Sequence, residues 1–318
     1  MMARAQRVGD TLARAFPDAE ITTSTTTRPW DACDIVAERA EQWGQRGLIC
    51  VAGGDGTVSE AINGAVNTSI HILVLPAGTG NDFARTLYGP HLPAVDDIVA
   101  DLAAYPSKAR VHAVDTVRVS SSTGIERSAV NTISVGFDSL VGITADRIHR
   151  RVPFLLGTSY LIAVAAELAR GQRDFSCRGR WVDSAGHAHA ATWRYFLTAV
   201  SNARYYGGGF QPNPHAIIDD GLIDITSVQP VGIGDMVRSF SAFRAGRAVD
   251  EHLVRSWRAS TLTLEGDPEL VLTIDGEGMR VPDVTLSVEP HSLRLLMPPR
   301  WAGCDALACR SAIEHPFG

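Results

Sequence analysis

The chain has 318 residues, 45% hydrophobic and 20% charged, a globular composition long enough for two domains of ordinary size. A net charge of -6 and a pI near 5.9 lack the basic footprint that binding a phosphate backbone requires, so nucleic acid is set aside in favour of a small molecule or a lipid. Five cysteines (Cys33, Cys50, Cys177, Cys304, Cys309) form no C-x-x-C pair and are odd in number, which speaks against a zinc ribbon or a disulfide framework and for a reducing, cytoplasmic setting.

The N-terminal stretch carries Val8, Leu12 and Phe16 at four-residue spacing, the pattern of an amphipathic helix rather than a signal peptide. A second helix is expected over 31–43, with Ile35, Val36 and Ala40 on one face. Leu48 to Ala52 is a short buried strand that runs directly into glycines, and a helix is expected over 58–66. Ile72 to Pro76 is a second such strand, ending before Gly78-Thr79-Gly80. This alternation up to residue 107 predicts a parallel sheet with crossover helices, a Rossmann-like half.

After Lys108 come strand-length runs rich in Val, Ile and Thr at 115–119, 193–200, 222–228, 261–264 and 270–274, separated by Gly, Pro and Asp-Gly. They predict an α/β chain whose second domain, 108–299, is a β-sandwich, interrupted by a helical insertion at 142–171. The apolar stretch 152–169 is broken by Gly157, Thr158, Ser159 and Glu167 and falls at the short limit for a membrane span, so it reads as a buried or interfacial helix. Residues 300–318 read as a loosely docked helix or a tail.

In Gly53-Gly54-Asp55-Gly56-Thr57 a strand ends, three glycines allow close backbone approach, and a helix begins. Backbone N–H groups at such a turn, together with the helix N-terminus, make a phosphate cradle. A Walker A loop needs Gly-Lys-Ser/Thr, whereas the single lysine here is Lys108, so P-loop chemistry is excluded. The plainer reading is a glycine-rich βα turn. A second loop, Pro76-Ala77-Gly78-Thr79-Gly80-Asn81-Asp82-Phe83-Ala84-Arg85, again joins a strand end to a helix. Two strand ends of a parallel sheet can open onto one ligand at the carboxyl edge. Asp55 and Asp82 beside phosphate-binding backbone would repel the ligand without an intervening cation, which points to magnesium. With no lysine nearby, the metal and Arg85 are the sources of positive charge for a transferring phosphoryl group.

GGDGT followed by PAGTGNDFAR resembles the diacylglycerol kinase catalytic domain, shared with sphingosine and ceramide kinases and with soluble bacterial lipid kinases. Asn131 to Asp138, Ser201 to Gly209, Pro214 to Ile225 and Ile274-Asp275-Gly276-Glu277 extend the similarity over nearly the whole chain. The resemblance implies an NAD kinase-like fold, with an α/β nucleotide domain and a β-sandwich domain. It implies Asp275 as the general base for the lipid hydroxyl, Glu277 as its orienting neighbour, and a magnesium network of Asp55, Asp82 and Asp220, with Asp219 competing for the third place. Gly53, Gly54, Asp55, Gly56, Thr57, Gly78, Thr79, Gly80 and Asn81, with Thr27, would hold ATP. Alone, Asp275-Gly276 is a hairpin turn, Asp219-Asp220-Gly221 a turn between strands, and Thr27 a capping hydroxyl before the helix at Asp31; these readings stay open.

Relatives begin with a buried strand ending in an Asn-Pro-x-Ser/Ala-Gly turn, and this chain begins inside what resembles the following helix, so an incomplete N-terminus is expected. The basic cluster Arg147, His149, Arg150 and Arg151 with the apolar run 152–156 suits a surface dipping into anionic headgroups, or else a solvated helix end followed by core. The expectation is therefore an ATP- and Mg2+-dependent lipid kinase, cytoplasmic and peripheral to the inner face of the membrane, with diacylglycerol as acceptor; relatives admit a homodimer. A sphingoid-base or other lipid kinase, more remotely an NAD kinase, and a catalytically impaired nucleotide- or lipid-binding protein are the alternatives.

Overall fold

The computed structural model describes residues 2–151, 159–171, 174–230, 232–245 and 252–303. By contact the chain divides into two compact units, one of Met1–Thr116, Ile217–Asp220 and Pro290–Gly318, the other of Val117–Ala216 and Gly221–Glu289. A division at 107/108 is colinear with the sequence; the contacts are not, because the end of the chain returns to the first unit.

In the first unit, α1 (Met2–Ala15) buries Val8 and Leu12, and α2 (Asp31–Trp43) buries Ala32, Val36 and Ala40, as the spacing of their apolar residues requires. β1 (Leu48–Gly53) and β2 (His71–Pro76) pair in parallel, joined by α3 (Asp55–Ala65), with Leu48 opposite His71 and Gly53 opposite Pro76. The end of β12 (Glu277–Met297) runs parallel to the other edge of β2, Arg294 opposite His71. β2 thus has partners on both edges and is a continuous apolar run, Ile72 to Leu75, buried throughout, as parallel strands covered on both faces are. Next come α4 (Asp82–Tyr88) and α5 (Val95–Ala104), which packs on α1, then the first part of β3 (Arg110–Ser120).

The second unit is antiparallel. β5 (Thr132–Gly136), β8 (Leu197–Ser201), β9 (Ile223–Val228) and β10 (Val254–Ala259) lie side by side in that order. β6 (Phe175–Val182) and β7 (Ala188–Tyr195) form a hairpin, and β4 (Glu126–Ala129) pairs with β3. β11 (Thr261–Ile274) links the two groups: Thr261 to Gly266 pair with β6, and Leu272 to Ile274 pair with β5. A register shift between Glu265 and Leu270 lets one strand serve both, the bulged corner of a sandwich. Ile133, Val135, Val200, Ile225, Leu262, Leu264 and Leu272 belong to the core these strands enclose.

Several sequence expectations change in detail. Helix begins at Phe137, not 142, because β5 ends at Gly136 (φ 114), which turns the chain straight into α6 (Phe137–Arg151). The insertion is two helices, α6 and α7 (Ser159–Arg170), packed on each other. The run 193–200 is split between β7 and β8, whereas 261–264 and 270–274 belong to the single strand β11. α5 and α8 (Ile233–Arg244) have no counterpart in the sequence reading. Of 300–318, Pro299–Trp301 is a short helical turn and 304–318 lie outside the described residues.

Candidate active site

The two glycine loops of the first unit meet backbone to backbone. A Cβ on Gly78 would lie 2.3 Å from the Cα of Gly54, and the Gly53 carbonyl accepts the Ala77 N–H at 3.1 Å. Only hydrogen fits at that contact. Gly54 caps α3, whose first residue is Asp55. The second loop is tied by a reciprocal pair: Gly78 N–H donates to Asn81 Oδ1 and Asn81 Nδ2 donates to the Gly78 carbonyl, both at 2.8 Å. Asn81 adopts the left-handed conformation (φ 55), which Asn tolerates better than most residues.

Asp55 joins the loops electrostatically. Its Oδ1 accepts the N–H of Asp82 at 2.6 Å, at the start of α4. A Cβ on Gly80 would lie 2.5 Å from Asp55 Oδ2 and 3.8 Å from Asp82 Oδ2, so both carboxylates front one Cα. Gly56 has nothing within 4 Å of such a position, and Gly56 and Thr79 are exposed, while Thr57 packs on Gly53. Arg85 straps the loop from behind: Nε donates to the Gly80 carbonyl at 3.2 Å and a terminal nitrogen to the Pro90 carbonyl at 2.8 Å. It is engaged with carbonyls and not held out as a charge for a ligand.

The Thr27 N–H and hydroxyl donate to Asp31 Oδ2 at 2.6 and 2.9 Å, ahead of α2. These two bonds hold the Asp31 carboxyl below the usual carboxylate range. The Thr27 hydroxyl thus ties the approaching segment to the first residue of α2; it does not cap the helix, whose N-cap is Trp30 with no side-chain cap bond. Asp219 is buried and Asp220 half-buried in the segment Ile217–Asp220, where the Ile218 carbonyl accepts the Asp115 N–H at 2.7 Å. Among the described residues no group of three or more His, Cys, Asp or Glu stands close enough to hold a metal. Asp220 is thus not gathered with Asp55 and Asp82 into a three-carboxylate cluster.

In the second unit Asp275-Gly276 is the two-residue turn between β11 and β12, with Ile274 opposite Glu277 and positive φ at both turn residues (44 and 98). It is more than a turn. The Asp275 carboxylate accepts the Val130 and Asn131 N–H groups, each at 3.1 Å, so its direction is fixed by the strand start of β5. Glu277 is paired with Arg127. Asp138, in the first turn of α6, is buried, accepts the Ser134 and Tyr206 hydroxyls, and is pushed above the usual carboxylate range by that burial. Asp138 closes the segment Asn131 to Asp138 and Asn202 lies in Ser201 to Gly209, and neither residue's type nor its spacing marks a role by itself. On the lipid side Arg147 is exposed, while the side chains of His149, Arg150 and Arg151 and the residues 152–158 lie outside the described set. No helix among the described residues is long and apolar enough to cross a membrane.

Residues 3–119 match the diacylglycerol kinase catalytic domain, and residues 131–297 match the YegS C-terminal NAD kinase beta sandwich-like domain. A diacylglycerol kinase of Mycobacterium tuberculosis (strain CDC 1551 / Oshkosh) is 33% identical over 255 residues, covering 79% of this chain and 76% of that protein. The chain belongs to the diacylglycerol kinase family and is a lipid kinase of that type. A probable lipid kinase YegS-like protein of Stenotrophomonas maltophilia (strain K279a) is 28% identical over 276 residues, 82% of this chain and 81% of that one. A putative diacylglycerol kinase from Bacillus anthracis str. Sterne shares the fold, with a TM-score of 0.70 at 22% identity over 94% of this chain and 93% of that chain. For this lipid kinase the α/β class with a sandwich-like second part, expected from the strand pattern, stands.

Proposed function

We propose that this lipid kinase transfers the γ-phosphoryl group of ATP to the hydroxyl of diacylglycerol, giving phosphatidic acid. The observation that carries the reading is the backbone contact of Gly54 with Gly78, which joins two glycine-rich strand-to-helix turns, the local geometry that suits phosphate, into one continuous backbone surface. The first unit is the nucleotide side, with Gly53 to Thr57 and Gly78 to Asn81 against the phosphates. The second unit is the acceptor side, with Asp275 as base. In the transfer the acceptor O–H gives its proton to the Asp275 carboxylate, the oxygen forms a bond to the γ-phosphorus, and the bond from that phosphorus to the bridging oxygen breaks to release ADP. Glu277, steadied by Arg127, keeps the turn in register for that proton transfer.

Asp55 and Asp82 suit magnesium, which is held through one or two carboxylates plus phosphate oxygens and water rather than by an all-protein cage. When bound, the metal supplies the positive charge that a chain with one lysine, and with Arg85 committed to carbonyls, does not. Asp220 is proposed as a further ligand, with Asp219 the competitor. Exposed Arg147 at the end of α6 supports contact with anionic headgroups at a membrane surface.

The test is transfer of label from γ-labelled ATP with Mg2+ to a panel of diacylglycerol, ceramide and a sphingoid base, with the chain and its Asp275→Asn variant. Diacylglycerol should be labelled, and the variant should be slower by about 10²- to 10⁴-fold with its fold intact. A variant at full rate would remove Asp275 from the chemistry; labelling of another lipid in preference would replace the acceptor.

A further inference from the structure

The strand start that fixes Asp275 is itself held from its far side. The N–H groups of Val130 and Asn131 point to the Asp275 carboxylate, and their carbonyls point to the turn after β8. The Asn131 carbonyl accepts the N–H of Asn202 at 2.9 Å and of Ala203 at 3.2 Å. The Val130 carbonyl accepts the side-chain Nδ2 of Asn202 at 3.2 Å. Thr132 closes the circuit, its carbonyl accepting the Asp275 N–H at 3.4 Å. Asn202 is 1% exposed, and its side chain connects to Asp275 through the Val130–Asn131 backbone.

Two features separate this contact from ordinary strand pairing. Thr132 stands opposite Ser201, so the backbone bond from Asn202 to Asn131 merely continues the β5–β8 ladder. The amide bond to Val130 does not belong to the ladder; any residue could supply the backbone bond, but only a short side chain with an N–H or O–H can supply the second. Asp275 also sits at positive φ (44), the conformation a two-residue Asp-Gly turn takes, so the turn sets its backbone while the Val130 and Asn131 N–H groups set its carboxylate. The Val130 carbonyl and the Asn131 N–H belong to one peptide, so engaging that carbonyl with the Asn202 amide strengthens the Asn131 N–H as a donor, and the clamp as a whole steadies the strand start that orients the carboxylate.

We propose that Asn202 is a positioning residue for Asp275, acting through the Val130 and Asn131 peptides to set the direction of the carboxylate that receives the acceptor proton. This rests on the reading of Asp275 as the base. Asn202 lies within the Ser201 to Gly209 motif, for which no role was assigned from sequence, and the proposal gives that motif's asparagine a task distinct from binding either substrate.

The experiment is a double-mutant cycle on the full chain, with Asn202→Ala, Asp275→Asn and both together, reading kcat and the two KM values in the labelled-ATP assay. Asn202→Ala should lower kcat by about ten- to a hundredfold with the ATP KM unchanged, and should cost nothing further in the Asp275→Asn background. The same loss in both backgrounds, or a change confined to KM, would show a merely structural asparagine and overturn the proposal. Amide NMR supplies a readout independent of turnover: the Val130 and Asn131 N–H resonances should shift and lose exchange protection in Asn202→Ala. If Asp275→Asn proves fully active, the base reading fails on that variant alone, while unchanged Val130 and Asn131 resonances in Asn202→Ala would sink the clamp itself. Should the alanine variant not fold, Asn202→Ser, which keeps a short donor, is run in the same cycle; a serine variant as slow as Asp275→Asn, with both amides unshifted, overturns the proposal, and near-normal kcat with protected amides supports it.

Discussion

Gly78 and Gly56 sit in the two glycine loops for different physical reasons. A Cβ at 78 meets the Gly54 backbone at 2.3 Å, whereas one at 56 meets no atom within 4 Å. Gly78→Ala must push the loops apart, and we expect a loss of about 1–3 kcal/mol in unfolding free energy, together with lost phosphotransfer. Gly56→Ala should stay within about 0.5 kcal/mol of the parent, so any rise in its ATP KM reports on the ligand and not the fold. Denaturant unfolding beside ATP kinetics separates the two; equal destabilisation would contradict the contact described. At this scale the sequence was informative about residue type and silent about partners. Glycines at a strand end announce close approach, but which backbone approaches is a long-range fact. Asp275 shows the same limit: Asp-Gly reads locally as a hairpin turn, and it is one, yet its carboxylate is oriented by residues about 145 positions earlier in the chain.

Among the elements, β11 carries the second unit. It pairs with β6 over its first half and β5 over its end, and the corner between them is tight: a Cβ on Gly266 would stand 2.4 Å from the Glu269 carbonyl carbon and 2.5 Å from the Leu270 nitrogen. Gly266→Ala is therefore expected to destabilise the protein by about 1–3 kcal/mol. A melting temperature equal to the parent's would show that the corner relaxes freely. Sequence periodicity gave α2 its boundaries, because an amphipathic helix writes its buried face at fixed spacing. It divided β11 into two strands because Gly266, Asp267 and Pro268 look like a loop when the ladder on either side is not known. It merged β7 with the start of β8 for the opposite reason, since an apolar run does not record the change of partner at Phe196.

For the whole molecule, the non-colinear division has a direct consequence. β2 depends on the end of β12 for one of its edges, and Leu293 and Leu295 of that segment are buried. A fragment of residues 1–116 should therefore lack stable structure around β2, seen as absent amide protection at Ile72 to Leu75 in hydrogen exchange. Protection there at the level of the full chain would mean that the return of β12 is dispensable. Length, acidity and the single lysine were enough to turn attention from nucleic acid and P-loop chemistry toward glycine-borne phosphate binding, because they are properties of the chain in any conformation. The two loops, the alternation of strand and helix, and the antiparallel character after residue 108 were likewise legible, since each is a local pattern. That Gly54 touches Gly78, that Asp55 caps the helix at Asp82, and that Asn202 reaches Asp275 through a shared strand start were decided only by the tertiary structure. Contacts between distant segments depend on strand order and register, and no local spacing encodes either.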